Sequence, residues 1–176
     1  MKDLMIDIET LGTSHNACMV QFGACFFDRD TGEIGKTFKT NIDIGSSIRS
    51  GFSVTGDTIS WWFAQSEEAR KSITSLGAAN VFDALYAINE FMRPAKYVWS
   101  HATFDFVILM NHFKHFHIEP NVHYRSARDI RTLVDLANIK QKRTDRDGVH
   151  HDALDDCLFQ VKYCVDCFNA IRKGDD

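Results

Sequence analysis

LMIDIET, residues 4–10, reads as a buried β-strand that nevertheless carries two carboxylates one residue apart. In a strand, residues i and i+2 point to the same face, so Asp7 and Glu9 stand side by side within reach of one common ion. Two like charges that close repel unless something positive lies between them. Taken alone, such a pair is more often a solvated strand face than a site, so the rest of the chain has to decide.

Working outward, ACMVQFGACFFD (residues 17–28) is a second apolar stretch rich in strand formers. DRDTGE then turns the chain into IGKTFKTNI, where β-branched and aromatic residues alternate with polar ones, completing a three-strand meander. IGSSIRSGFSV reads as a loop, and DTISWWFAQSEEARKSI as one helix capped by Asp57. Val81, Leu85, Ile88 and Met92 recur at the spacing of an amphipathic helix over residues 80–92, with Pro94 just past its end. YVWS reads as a short buried strand, HATFDFVILMNHFKHF as a loop opening into a helix, HYRSAR as a last strand and DIRTLVDLA as a helix. The polar stretch IKQKRTDRDGVH (139–150) lacks apolar periodicity and reads as a mobile loop carrying Lys140, Lys142, Arg143 and Arg146. Residues 152–172 then form the most regular helix, with Leu154, Leu158, Val161, Val165 and Phe168 on one stripe. Strands in a meander followed by alternating helices and strands predict an α/β fold with a mixed sheet, mostly five-stranded, flanked by helices.

At 176 residues and 44% hydrophobic, the chain suits one domain over residues 1–176. No apolar run approaches the ~20 residues of a membrane span, and no secretory leader pattern opens the chain. The expectation is a soluble, cytoplasmic protein without a membrane partner. Five scattered cysteines fit reduced thiols better than a disulfide framework. A net charge of −4 argues against simple electrostatic binding of nucleic acid. It leaves room for an enzyme whose carboxylates hold cations where a phosphate sits.

Three further residues join Asp7 and Glu9. Asp105 follows a strand in HATFD at the mouth of a helix, and His151 and Asp156 lie in HDALDD where the last helix begins. Strand ends and helix starts in α/β sheets converge on one rim, where ligands bind. Each has a plain structural alternative: Asp105 favours the helix dipole, and Asp156 competes with its neighbour Asp155. Helical phase, at about 100° per residue, gathers Asp155, Lys162, Asp166 and Asn169 on a polar face. Asp156 instead borders the small residues Ala153, Cys157 and Cys164, which lets it look inward toward the sheet. His151, five residues earlier, is out of phase with Asp156 on a continuous helix and so belongs to the preceding loop. A histidine beside acidic ligands suits a general base, because imidazole titrates near neutrality. His101, His112, His115, His117, His123 and His150 read as surface or structural.

The ordered trio DIET, HATFD and HDALDD resembles the three motifs of the DEDDh 3′–5′ exonucleases, the DnaQ-like branch of the ribonuclease H-like fold. The likeness runs from Asp7 to Asp156. DTISWWFAQSEEAR is further similar to the subgroup containing phage exonuclease A and a bacterial exoribonuclease type. His101 stands where the family's middle motif often has Asn. The resemblance implies that Asp7, Glu9, Asp105 and Asp156 bind two divalent ions and that His151 deprotonates the attacking water. Carboxylate oxygens without nearby thiolate select Mg²⁺ or Mn²⁺, and two such ions about 4 Å apart can serve both sides of a phosphodiester. It also implies that Thr10, Leu11 and Phe104 cradle or wedge the terminal nucleotide. The expected partner is nucleic acid with a free 3′ end, single-stranded or as an overhang, cut to nucleoside 5′-monophosphates. DNA versus RNA, oligomeric state (a dimer included) and the division of Trp61 and Trp62 between core and base-stacking platform stay open at this level.

Two rivals compete. Cys164 and Cys167 in YCVDCF suggest zinc, but no second pair follows at zinc-site spacing. A catalytically inactive ribonuclease H-like module for nucleic-acid binding or protein interaction would be expected to lack at least one of the five functional residues; all five are present.

Overall fold

The computed structural model describes residues 1–74, 77–139 and 147–173. β1 (Asp3–Thr10), β2 (Met19–Phe27) and β3 (Ile34–Asn41) form the antiparallel meander. β4 (Tyr97–Ser100) pairs parallel with β1, and β5 (Ala127–Asp129) parallel with β4, giving the sheet order β3-β2-β1-β4-β5. The helices described are α1 (Ile44–Arg49), α2 (Gly56–Phe63), α3 (Glu67–Ile73), α4 (Val81–Met92), α5 (Asp105–His115), α6 (Ile130–Ala137) and α7 (Ala153–Lys173). This is the mixed five-stranded sheet flanked by helices that the sequence pattern predicts.

β1 sits at the centre of the sheet and is buried at every position, because helices cover both of its faces. Leu4, Ile6 and Ile8 enter the larger core with Leu85 and Ile88 of α4 and Ile108 and Leu109 of α5. Met5 enters a second core with Cys25, Trp99 and the Cys157, Val161 and Cys164 stripe of α7. By strand alternation, Asp7 and Glu9 share the α7 side with Met5. Asp3, at the other end of that face, shows how a structural carboxylate is satisfied here: it pairs with Arg29 and accepts from Trp99 Nε1 at 2.8 Å.

The structure corrects four local expectations. The stretch read as the loop IGSSIRSGFSV contains α1, because Asp43 caps it by accepting the Ser46 N–H at 2.6 Å. The single helix expected over DTISWWFAQSEEARKSI is broken into α2 and α3. Ser66 caps α3 by accepting the Ala69 N–H, and Arg70 donates to the carbonyls of Phe63 and Gln65 at the end of α2. Asp57 lies in the first turn of α2, whose cap position is Thr55. HYRSAR holds a 3-10 turn at Tyr124–Ser126, and β5 begins only at Ala127. Lys140, Lys142, Arg143 and Arg146 lie outside the described residues. Among the described residues, no helix is long and apolar enough to cross a membrane.

Candidate active site

The carboxyl end of β1, the start of α5 and the start of α7 meet at one rim. Asp7 and Glu9 are 7% and 8% exposed and Asp105 only 2%. Asp105 opens α5, and its Oδ2 accepts the backbone N–H of His101 at 2.8 Å. Asp156 lies in the first turn of α7. His151 precedes that helix in a left-handed backbone conformation, φ 65°, of a kind non-glycine residues adopt mainly where the surrounding structure enforces it.

All five of these residues line one cleft of about 750 Å³, together with His101, Phe104, Arg131, His150, Phe159, Gln160 and Tyr163. Within it, Asp7, His101 and Asp105 bring one potential ligand atom each to within 4.8 Å of one another, and so do Glu9, His151 and Asp156. The donors are carboxylate oxygens and imidazole nitrogens, and neither group includes a cysteine. Such a set fits hard divalent cations, whose charge offsets the cost of crowding and burying carboxylates. Burial also raises the Asp105 carboxyl above the usual carboxylate range, against the lowering effect of the His101 N–H. His101 is pushed down to about 4 by burial and by Arg131, partly opposed by Asp129. In the protein as described its imidazole is therefore neutral, the form that can donate a lone pair.

His151 belongs to the segment before α7, as its phase relative to Asp156 requires. The sequence suggested that it swings on a mobile loop, but the segment around it is tethered. Ser72 Oγ donates to the His151 carbonyl at 3.2 Å, and the Val149 N–H donates to Asp155 Oδ2 at 2.7 Å. Trp61 and Trp62 meet the imidazole edge-on, with ring centroids at 4.7 and 6.0 Å. His151 Nδ1 lies 3.9 Å from Glu9 Oε1. Asp155, placed by helical phase on the solvated face, thus holds the backbone ahead of His151.

His101 and His150, read as surface or structural, line the cleft. His112 is buried and structural: its Nδ1 lies 2.9 Å from the Ile108 carbonyl and its ring stacks on Phe52. Gln160, Arg131 and Tyr163 were not singled out from sequence. Gln160 stands four residues after Asp156, one helical turn on, which is a usable signal. Arg131 lies in the first turn of α6, just after β5, and follows the strand-end rule already applied to Asp105. The five cysteines are free and buried.

A second, adjoining cleft of about 440 Å³ is lined by Glu9, Thr10, Gly12, Asp57, Trp61 and Phe104 among others. Thr10, itself only 7% exposed, and Phe104 thus border this cleft, while Leu11, 5% exposed, packs in the core. Trp62 is buried and its Nε1 donates to the Thr10 carbonyl at 2.9 Å. Trp61 is 43% exposed, which settles which tryptophan is core and which faces the cleft.

The mixed sheet in the order β3-β2-β1-β4-β5, with carboxylates gathered on one rim, is the arrangement that the sequence resemblance to 3′–5′ exonucleases leads one to expect. Solved structures of Escherichia coli exonuclease I share the fold. One in complex with a 5cy-dT13 oligonucleotide matches with a TM-score of 0.65 at 16% identity, over 97% of this chain and 41% of that one. The zinc-bound form of its single-stranded DNA complex matches with a TM-score of 0.62 at 14% identity, over 97% and 40%. The chain thus spans about two fifths of the length of those structures. An exodeoxyribonuclease of Enterobacteria phage T4 is 28% identical over an alignment 205 positions long, gaps included, covering 94% of this chain and 89% of the phage protein. Residues 2–168 match the family model described as the 3′–5′ exoribonuclease Rv2179c-like domain. The chain belongs to that family, and it is a 3′–5′ exonuclease.

Proposed function

We propose that this exonuclease removes nucleoside 5′-monophosphates one at a time from the free 3′ end of a single strand or overhang, with two divalent cations, Mg²⁺ or Mn²⁺, held by Asp7, Glu9, Asp105 and Asp156. The observation that carries this reading is the pair of ligand groups, Asp7 and Asp105 with His101, and Glu9 and Asp156 with His151, both lining one cleft. Divalent cations bound there supply positive charge to the phosphate and make a neighbouring water more acidic.

The chain's own residues do the rest. His151, held edge-on to Trp61 and beside Glu9, accepts the proton of the attacking water at an imidazole nitrogen. Arg131 brings a guanidinium into the cleft, where a backbone phosphate is its natural partner. Thr10 and Phe104 line the side cleft that receives the terminal nucleotide, and Leu11 supports it from the core. Trp61 offers an aromatic face at the same opening, and base stacking of this kind tolerates any sequence. Because the recognition described is of stacking and phosphate, both DNA and RNA fit; the family's description names exoribonuclease and the phage relative's name an exodeoxyribonuclease.

The decisive experiment incubates the protein with matched single-stranded DNA and RNA and with 3′-overhang duplexes, with Mg²⁺, with Mn²⁺ and with EDTA. The expected result is stepwise shortening from the 3′ end with 5′-monophosphate products, abolished by EDTA. Turnover that survives full chelation overturns the cation-dependent mechanism.

A further inference from the structure

Gln160 is 5% exposed and lies one helical turn beyond Asp156 on the face of α7 that meets β1. Its Nε2 donates to Asp7 Oδ1 at 2.7 Å, a bond that joins residues 153 positions apart. The other end of the same amide, Oε1, is a buried acceptor without a hydrogen-bond partner among the described residues. Buried polar side-chain atoms are paired in the large majority of cases, so an orphan at the wall of a cleft is a mark of a group kept for something that arrives.

We infer that Gln160 is a positioning residue for the metal site: its Nε2 fixes the Asp7 carboxylate, and its Oε1 accepts a hydrogen bond from the hydration water of a cation bound there. The inference rests on the metal-dependent reading above.

Charge explains why an amide occupies this place. A lysine or arginine would bind Asp7 permanently, as Arg29 binds Asp3 at the other end of the strand, and would compete with a cation for it. A glutamate would add a further negative charge against Asp7. Glutamine alone of the side chains of that length donates to a carboxylate without charge and keeps an acceptor in reserve. Its backbone is held to the sheet by the same helix: Cys157 Sγ donates to the Gly23 carbonyl at 3.3 Å, and Val161 is buried in the second core. Mg²⁺ keeps several of its waters when protein carboxylates bind it, so the donor that Oε1 lacks comes with the ion. Groups that orient a metal ligand in this manner commonly set affinity without touching the metal.

The test measures cation binding directly. Calorimetric titration of the full chain with Mn²⁺ alone should show Gln160→Met, which keeps length and packing, binding about 10–100-fold more weakly than wild type. Its metal-free melting temperature should stay near that of wild type. Excess Mn²⁺ should restore its turnover, with KM for the oligonucleotide unchanged at saturating metal. A variant that binds Mn²⁺ as tightly as wild type overturns the role of Gln160 while leaving the metal-dependent reading intact; a wild-type protein that binds no Mn²⁺ overturns both. The wild-type protein provides a check that needs no variant. In amide NMR spectra, the side-chain NH₂ signals of Gln160 should shift as Mg²⁺ is added, and signals that stay put while Mg²⁺ binds refute the inference.

Discussion

Gly23 lies directly across from Asp7 in the antiparallel β1–β2 pair, and the first turn of α7 occupies the space its side chain would fill. A Cβ built at Gly23 would fall 2.3 Å from the Ala153 carbonyl carbon and 2.4 Å from its oxygen. Facing residues of an antiparallel pair share a side of the sheet, so the absent side chain brings α7 against the same surface that displays Asp7. Two pairs further along, and so on the same side of the sheet, Gln21 faces Glu9, and its Oε1 accepts the Ala153 N–H at 2.7 Å. Thus the two β2 residues opposite the two carboxylates both seat the helix that brings Asp156 and Gln160.

Gly23→Ala tests that seat. The clash is with backbone, which a side-chain rotation cannot relieve, so α7 has to move. Overpacking of this kind costs on the order of 1–3 kcal/mol. The variant should melt at lower temperature and lose turnover even at temperatures where it remains folded, because Asp156 and His151 shift together. A Gly23→Ala protein with unchanged melting temperature and rate would show that α7 is not seated there.

Asp155 and Asp156 are adjacent and should fail in different ways. Asp156→Asn should abolish turnover and weaken Mn²⁺ binding, since its carboxylate belongs to the group formed with Glu9 and His151. Asp155→Ala removes a charge-assisted hydrogen bond to the Val149 N–H, an interaction worth about 1.5–3 kcal/mol. It should lower kcat by misplacing His151 and leave Mn²⁺ affinity near that of wild type. Calorimetry beside steady-state rates separates the two, and a loss of metal binding in Asp155→Ala would refute this division.

The fold was legible where one local signal dominated. Continuous apolar runs marked β1 and β2, the apolar stripe from Val81 to Met92 with Pro94 past its end marked α4, and YVWS matched β4 residue for residue. The break between α2 and α3 was not, because Ala64 and Gln65 suit a helix and the interruption depends on Ser66 and Arg70 acting together. The carboxylates and His151 could be singled out because charged residues at strand ends and helix starts are conspicuous in an apolar chain. Helical spacing from Asp156 could place Gln160 on the inward face, but not its bond to Asp7, which is distant in sequence and near only once α7 rests on Gly23. His101 was marked only as a departure from the family's middle motif and was read as surface or structural: its place in the cleft follows from the turn that leads β4 into α5.

Acid stability should report on His112, far from the cleft's chemistry. Burial, supported by the nearby charge of His115, lowers its imidazole from an ordinary 6.5 to about 4, against the raising effect of the Ile108 carbonyl. The unfolded chain therefore binds a proton that the folded chain refuses between those values. Stability is complete above about 6.5 and falls as pH drops through that window toward 4, by at most about 1.4 kcal/mol per pH unit from this residue. His112→Phe, which keeps an aromatic ring against Phe52, should flatten that part of the pH–stability curve measured by urea unfolding. An unchanged slope would mean that His112 is protonated in the folded state.

His151 carries the sharpest kinetic expectation. If it takes the proton from water, His151→Ala should slow the chemical step by about 10²–10⁴-fold, the usual worth of a positioned base. Single-turnover measurements at saturating metal isolate that step from substrate release. The wild-type rate should climb with pH as the imidazole gives up its proton, and the variant should lose that inflection. Trp61→Ala provides the companion measurement, because Trp61 packs edge-on against the imidazole and also lines the adjoining cleft. It should raise KM for the oligonucleotide through lost stacking, on the order of 1–3 kcal/mol per base, and lower the single-turnover rate less than His151→Ala does. Should His151→Ala retain both the wild-type rate and its pH dependence, the base must be sought among the other groups of the cleft, with His150 beside it the first to replace.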